Sequence, residues 1–337
     1  MSLTTPLCKT LGISVPLVQA PIGSAATPEL VSAVSSAGAL GMLALTWVDA
    51  ARARDLIRQT QRLTSAPFGV NLSLDFPIDR QLDTALDLGV RIISTFWGDP
   101  ARVRDRINAA GCTHLHTVRS PQEARAAVDV GVDVIVAQGW EAGGHVWGEV
   151  ATLPLVPAVV DAVDPHPVIA AGGIADGRGL AAVLMLGAQA AWLGTRFVAA
   201  AEADTHAVYR ELVMAAAVSD AVMTSCFDGG WPNAPHRVLR NSTLTAWADA
   251  GSAPPPHRPG EGDVIAQGSD PPTRFHRYDD MMPLGSLTGQ LEAMALYAGQ
   301  SAGLVRDVAP AAQIIGEIAD VAEQTLRKGA SLVSPRK

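Results

Sequence analysis

Apolar residues recur along this chain in short unbroken runs, and most runs follow a stretch of helical composition. Five segments share one order: "SSAGALGMLAL", "LDLGVRIISTF", "NAAGCTHLHTV", "VDVGVDVIVAQ" and "LGAQAAWLGTRF". In each, an Ala- or Leu-rich stretch ends near Gly38, Gly89, Gly111, Gly131 or Gly187, and an apolar run begins within a few residues. Glycine suits the left-handed residue that closes a helix, because it has no Cβ to clash there. Runs without polar alternation belong to strands buried on both faces. Three more runs, "PLVQAPI", "PFGVNLSL" and "HPVIAAGG", are each introduced by proline. The pattern predicts eight strands, at roughly 16–22, 39–45, 68–74, 90–97, 113–118, 133–139, 167–173 and 190–197. Eight parallel strands close an α/β (β/α)8 TIM barrel. The runner-up is an open doubly wound sheet, but the first strand-to-helix turn, "QAPIGSAATPEL", lacks the GxGxxG fingerprint.

After about residue 200 the grammar changes. A helical "AVYRELVMAAAVS" leads into "GGWPNAPHR", "GSAPPPHRPGEGD" and "HRYDDMMPLGS", where proline and glycine break both periods. The stretch is too long for an ordinary loop. It reads as a small lid or substrate lobe, 216–286, inserted in a barrel of 1–215 and 287–330. The remaining tail reads as helical.

Composition narrows the class. Hydrophobic residues make up 48% and charged residues 17% of the 337 positions, enough apolar content for a sizeable core. The net charge of −8 argues against a broad nucleic-acid or anionic-membrane surface. Cys8, Cys112 and Cys226 are widely spaced and suggest no disulfide framework, and the apolar runs are too short to span a membrane. The N-terminal residues lack a signal-peptide pattern, so the chain reads as cytoplasmic.

Barrel chemistry sits at strand C-termini. "IAAGGIADGRGL" places Gly172 and Gly173 at the end of the seventh strand, and "WLGTRF" places Gly194 and Thr195 at the end of the eighth. Bare amides there, with a helix N-terminus, suit a phosphate; the same glycines also serve as ordinary turn residues. Asn71 and Gln138 close two apolar strands with an amide, which matches the edge of a flavin ring or an internal bracket equally well. In "VIVAQGWEAGGHVWGEV", Gly143 and Gly144 would let the backbone pass beside a flat cofactor and leave His145 over it, ready for proton transfer. "THLHT" sets His114 and His116 on one side of a strand, the spacing of a metal-dependent barrel hydrolase, without evident further ligands. Tyr297 and Gln300 of "ALYAGQSAG" are pocket candidates, with core packing as the alternative.

"QAPIG", "FGVNLSL", "AQGWEAGGH", "AAGGIADGRGL", "WLGTRF" and "YAGQSAGL", in this order, resemble the nitronate monooxygenases, formerly 2-nitropropane dioxygenases. The resemblance implies an FMN-containing barrel that oxidises alkyl nitronates with O2 to carbonyl compounds and nitrite. It implies FMN contacts at Asn71, Gln138, Gly143, Gly173 and the run Trp192, Leu193, Gly194 and Thr195, with Ala20 and Pro21 beneath the ring. His145 is similar in place to the family's catalytic histidine, which acts as a base or orients the nitronate. No metal is expected; the partners are a small molecule and O2, and a homodimer stays open. NADH:quinone reductases and flavin-dependent enoyl-acyl-carrier-protein reductases share the scaffold. This chain departs from the family at Ile22, often methionine, and at Val146, often basic, which bears on substrate more than on cofactor.

Overall fold

The computed structural model describes residues 3–269 and 272–332. Each barrel strand forms within the span expected: β1 (Leu17–Gln19), β2 (Gly41–Ala44), β3 (Phe68–Ser73), β4 (Ile92–Phe96), β5 (Thr113–Val118) and β6 (Val134–Gln138). A two-residue β7 (Gly144–His145) precedes β8 (Val168–Ala171) and β9 (Ala190–Leu193). All barrel neighbours pair in parallel, from β2 round to β9 and on to β1. The seam closes where Leu40 N donates to Leu17 O and Gln19 N donates to Leu40 O, both at 2.9 Å. A closed ring rules out the open doubly wound sheet. Gln19 reinforces that seam: its Oε1 accepts from Met42 N at 3.1 Å and its Nε2 donates to Met42 O at 3.3 Å. A fully buried amide is thereby satisfied at both ends.

Seven helices, from Pro28–Ser36 to Gly177–Met185, follow the strands and cover the ring. The eighth helical place is filled from far along the chain. Ala201 N donates to Ala309 O at 2.9 Å, where the chain leaves the ring and later rejoins it. Helix Ala311–Ala330 then packs on Gly177–Met185 and Pro28–Ser36, and its Ile314, Ile315, Ile318 and Ala322 join their apolar core. At the other end of the barrel, helix Pro6–Leu11 sends Leu7 and Leu11 into the interior cluster with Val18, Met42 and Val136.

Between exit and return, β10 (Ala221–Thr224) pairs antiparallel with β11 (His236–Leu239), and β11 pairs with β7. A hairpin of β12 (Val264–Ser269) and β13 (Pro272–His276) carries β14 (Thr288–Gly289) on its free edge. The tail departs from the helical expectation. Residues 288–305 run irregularly, with 3-10 turns at Leu291–Ala293 and Gln300–Leu304, and the α-helix begins only at Ala311. Gly299 shows why: a Cβ there would lie 2.6 Å from Glu141 O. This stretch presses backbone to backbone on the loop after β6 and has no room to coil.

Candidate active site

A cavity of about 340 Å3 lies at the C-terminal ends of the barrel strands. Ala20, Pro21, Asn71, Gln138, Gly143, His145, Gly172, Gly173, Trp192, Gly194 and Thr195 all border it. Leu193 does not. Side chains alternate along a strand, so Trp192 faces inward while Leu193 packs, fully buried, with Leu17 and Phe197 beneath the helices. Leu193 contributes only its carbonyl, which accepts from Ala20 N at 2.8 Å.

His114 and His116 are likewise set apart. Leu115 joins the interior cluster and Thr117 borders the cavity, so the two histidines face the helix layer. Thr95 Oγ1 joins His114 Nε2 at 2.8 Å and His116 Nδ1 at 2.7 Å. Burial lowers their pKa values to about 3 and about 4. Among the described residues, no three His, Cys, Asp or Glu side chains are grouped to hold a metal ion.

The loop after β6 is tied down on every side. Glu141 Oε2 accepts from Thr152 N at 2.9 Å and from Thr152 Oγ1 at 3.0 Å, capping the next helix from outside it. Glu141 O accepts from Gln300 N at 3.0 Å, which is the part Gln300 plays instead of bordering the cavity. A Cβ on Gly143 would lie 2.5 Å from Ala298 C, so that glycine serves the packing of two loops as well as the cavity wall. Gly144 adopts φ 72° with open space around it. Its bareness permits the left-handed turn that brings β7 against β11, with His145 opposite His236. Buried Arg237 clamps this junction, donating to Trp140 O at 2.8 Å through Nη2 and to Ala221 O at 3.0 Å through Nη1.

His145 is thus held with its ring in an aromatic cage. Trp231 lies 4.4 Å from it at 31°, Tyr297 at 5.6 Å and His236 at 5.4 Å. Burial, helped by neighbouring His236, drives its pKa down to about 3. Its Nε2 is buried without a hydrogen-bond partner among the described residues, as is Oε1 of Gln138, whose Nε2 donates to His145 O at 3.3 Å. Two orphaned polar atoms at one cavity wall are costly unless a ligand meets them.

The opposite wall is backbone. Gly172 and Gly173 adopt φ 99° and 73°, and a Cβ on Gly172 would stand 2.9 Å from Gly139 O. The amides of Gly172, Gly173 and Gly194 donate no hydrogen bond among the described residues. The helix after them does not supply a free N-terminus: Asp176 caps it, accepting from Arg178 N at 2.9 Å and Gly179 N at 3.2 Å. Asn71 Nδ2 donates to Ser94 Oγ at 3.0 Å, which orients its carbonyl oxygen. Thr195 Oγ1 accepts from Gly299 N at 2.9 Å and ties this wall to the tail. This combination fits FMN: bare amides suit an anion and amide side chains suit a polar ring edge.

The third wall carries Trp47 and Phe96, the cavity-facing members of an aromatic cluster. Trp47 after β2, Phe76 after β3, Phe96 and Trp97 at the end of β4, Trp147 after β6 and Trp231 converge in edge-to-face and tilted pairs 4.5–6.0 Å apart. Trp231 Nε1 donates to Asp75 Oδ2 at 3.2 Å. Trp47 and Phe96 stand at strand ends, so the rule that found Asn71 would have found them too. Tyr297 borders the cavity, whereas Asp280, Met281 and Met282 reach it with no periodic signal at all.

Family comparison accords with this geometry. A model of the family described as nitronate monooxygenase matches residues 4–79 and 76–320. The chain belongs to the nitronate monooxygenase family. It is an oxidoreductase. The chain is 31% identical to a nitronate monooxygenase of Pseudomonas aeruginosa, over 93% of this chain and 97% of that one. It is 36% identical to the (3aS,4S,5R,7aS)-5-hydroxy-7a-methyl-1-oxo-octahydro-1H-indene-4-carboxyl-CoA dehydrogenase of Mycobacterium tuberculosis, over 72% and 68% of the two chains. The solved structure of FabK from Thermotoga maritima is similar at TM-score 0.84 and 31% identity, covering 98% of this chain and 100% of that one. Of the two departures from the family pattern, Ile22 borders the cavity, while Val146 is fully buried beside His145 and presents no charge to it.

Proposed function

We propose that this protein is an FMN-dependent nitronate monooxygenase, oxidising alkyl nitronates with O2 to carbonyl compounds and nitrite. Gly172, Gly173 and Gly194 would hold the phosphate through their amides. Asn71 and Gln138 would meet the ring's polar edge, with Ala20 and Pro21 below it. Bound there, FMN would supply the electron acceptance that no side chain can. The 216–286 lobe acts as the lid that supplies Trp231 and Asp280. The chain works in the cytoplasm, and no helix among the described residues is long and apolar enough to cross a membrane.

The observation that carries the reading is the buried Nε2 of His145 at the cavity wall, which has no hydrogen-bond partner among the described residues. With its pKa down at about 3, the ring is neutral at working pH and a weak base. It is better suited to donating a hydrogen bond to an anionic nitronate than to taking a proton from a neutral nitroalkane. The aromatic wall excludes water around that contact. His145→Asn, which keeps a donor but loses the ring, should lower turnover of preformed nitronate about 10²-fold, while FMN stays bound. Unchanged nitronate turnover in this variant would remove His145 from the reaction.

The likeness to the CoA-ester dehydrogenase and to FabK favours a second reading, an NAD(P)H-dependent reductase on the same scaffold. Anaerobic mixing separates the two. Bleaching of the flavin band by NADH but not by nitronate would transfer the protein to the reductases.

A further inference from the structure

We propose that Asp280 is a specificity-determining residue that turns away substrates whose non-reacting end is anionic and admits neutral or cationic ones. This rests on the cavity being the substrate site assigned above. Asp280 borders the cavity with Met281 and Met282, in the segment "HRYDDMMPLGS". Among the described residues no lysine or arginine borders that cavity, so none of them along its wall offsets the charge. Among the described residues the only group that bonds the carboxylate is its own backbone amide; Asp279 adds to the negative potential beside it, and the further Asp228 is itself ion-paired with Arg258 at 2.6 Å.

The chain makes room for this group. A Cβ on Gly230 would stand 2.6 Å from Asp280 Cγ, and one on Gly229 2.9 Å from Asp279 Cα. The paired glycines of "GGWP" therefore seat the paired aspartates of "YDDMM", and the residue that follows them is Trp231, stacked on His145. Tyr297, whose ring faces His145, donates its hydroxyl to Asp280 O at 3.2 Å. One backbone junction thus places the phenol and the carboxylate at the cavity and the indole against the His145 ring that borders it. The aromatic surfaces take up any flat or apolar tail, and the carboxylate alone distinguishes tails by charge. A like charge brought beside an unpaired, half-buried carboxylate is repelled in a medium that screens it less than open water does.

The test reads binding, not turnover. The holoenzyme at pH 8 is titrated with 3-phenylpropanamide and with 3-phenylpropanoate, equal in shape and different in charge, by isothermal calorimetry. The amide should bind at least about tenfold more tightly than the carboxylate. Asp280→Asn should bring the two within about twofold, and Asp280→Glu should keep the preference. Equal binding to the native protein, an unchanged preference in Asp280→Asn, or binding of neither ligand would overturn the proposal. An enzyme that oxidises nitronates without the preference refutes the role of Asp280 only. A preference in a protein that does not oxidise nitronates refutes only the assigned reaction.

Discussion

The cavity has two halves built from different materials. Its floor comes from the barrel and consists mainly of main chain: Gly172, Gly173 and Gly194 present amides fixed by the parallel ladder beneath them. Its roof comes largely from the chain after residue 200 and consists of side chains: Asp280, Met281, Met282 and Tyr297 border the cavity, and Trp231 backs it by stacking on His145. A floor of amides recognises the same anion whatever residues surround it. A roof of side chains changes what it admits with each substitution. The two halves therefore suit a constant cofactor and a variable substrate, which is why family membership speaks more firmly about the first than about the second.

The halves meet where the loop after β6 lies against 298–299, and the largest expected effect is there. Gly143→Ala would drive a methyl group into backbone on both sides of that seam, where no rotamer can yield. We expect a loss of about 2–3 kcal/mol in denaturant unfolding, with FMN released earlier than the global transition. Gly194→Ala is the control on the floor, since its Cβ would meet Ala20 Cβ at an ordinary 3.5 Å. It should leave stability nearly unchanged and weaken only the retention of FMN. If both variants unfold alike, seam and floor are not separate structures.

The same division decides how much the sequence discloses. The barrel was legible because each strand is a continuous apolar run with a glycine before it or a proline at its head. Long-range pairing merely assembles signals that are already local. A run of four apolar residues does not show which of them faces in; the pleat decides, giving Trp192 the inner place and turning the Leu193 side chain toward the helices. The same register, one residue away from Thr117, turns His114 and His116 toward the helices, where Thr95 bonds both rings. The tail looked helical because small residues permit a helix, whereas Gly299 is small for close approach to Glu141. Asp280 gave no signal, since its importance comes from contact with Gly230, 50 residues earlier in the sequence.

A middle-sized effect should come from the roof. Trp231 is only 5% exposed and combines the stack on His145 with the bond to Asp75. Trp231→Phe keeps an aromatic face but loses area and the indole donor. It should lower nitronate turnover roughly fivefold, about 1 kcal/mol of positioning, with FMN content unchanged. Loss of FMN in step with turnover would show that the roof also holds the cofactor, and the contrast between halves would fail.

The smallest effect on turnover should come from the histidines that the barrel keeps away from the cavity. In the folded chain His114, His116 and His145 have pKa values of about 3, 4 and 3, against roughly 6.5 when unfolded. As pH drops below about 6.5 the unfolded chain takes up protons that the folded chain refuses, so stability falls through that window down to about 3. Above it both states are neutral and the effect is absent. His114→Asn removes one such site, so the acid fall in denaturant midpoint should become shallower while nitronate turnover at pH 8 stays within about twofold of the native value. His145→Asn should flatten the same curve but lose turnover. Two buried histidines with the same electrostatic history would then differ only in what their rings face: a threonine hydroxyl in one case, the cavity in the other. A matching loss of turnover in His114→Asn would mean that the helix-facing side of β5 takes part in the reaction, contrary to the placement of Thr95 between its two imidazoles.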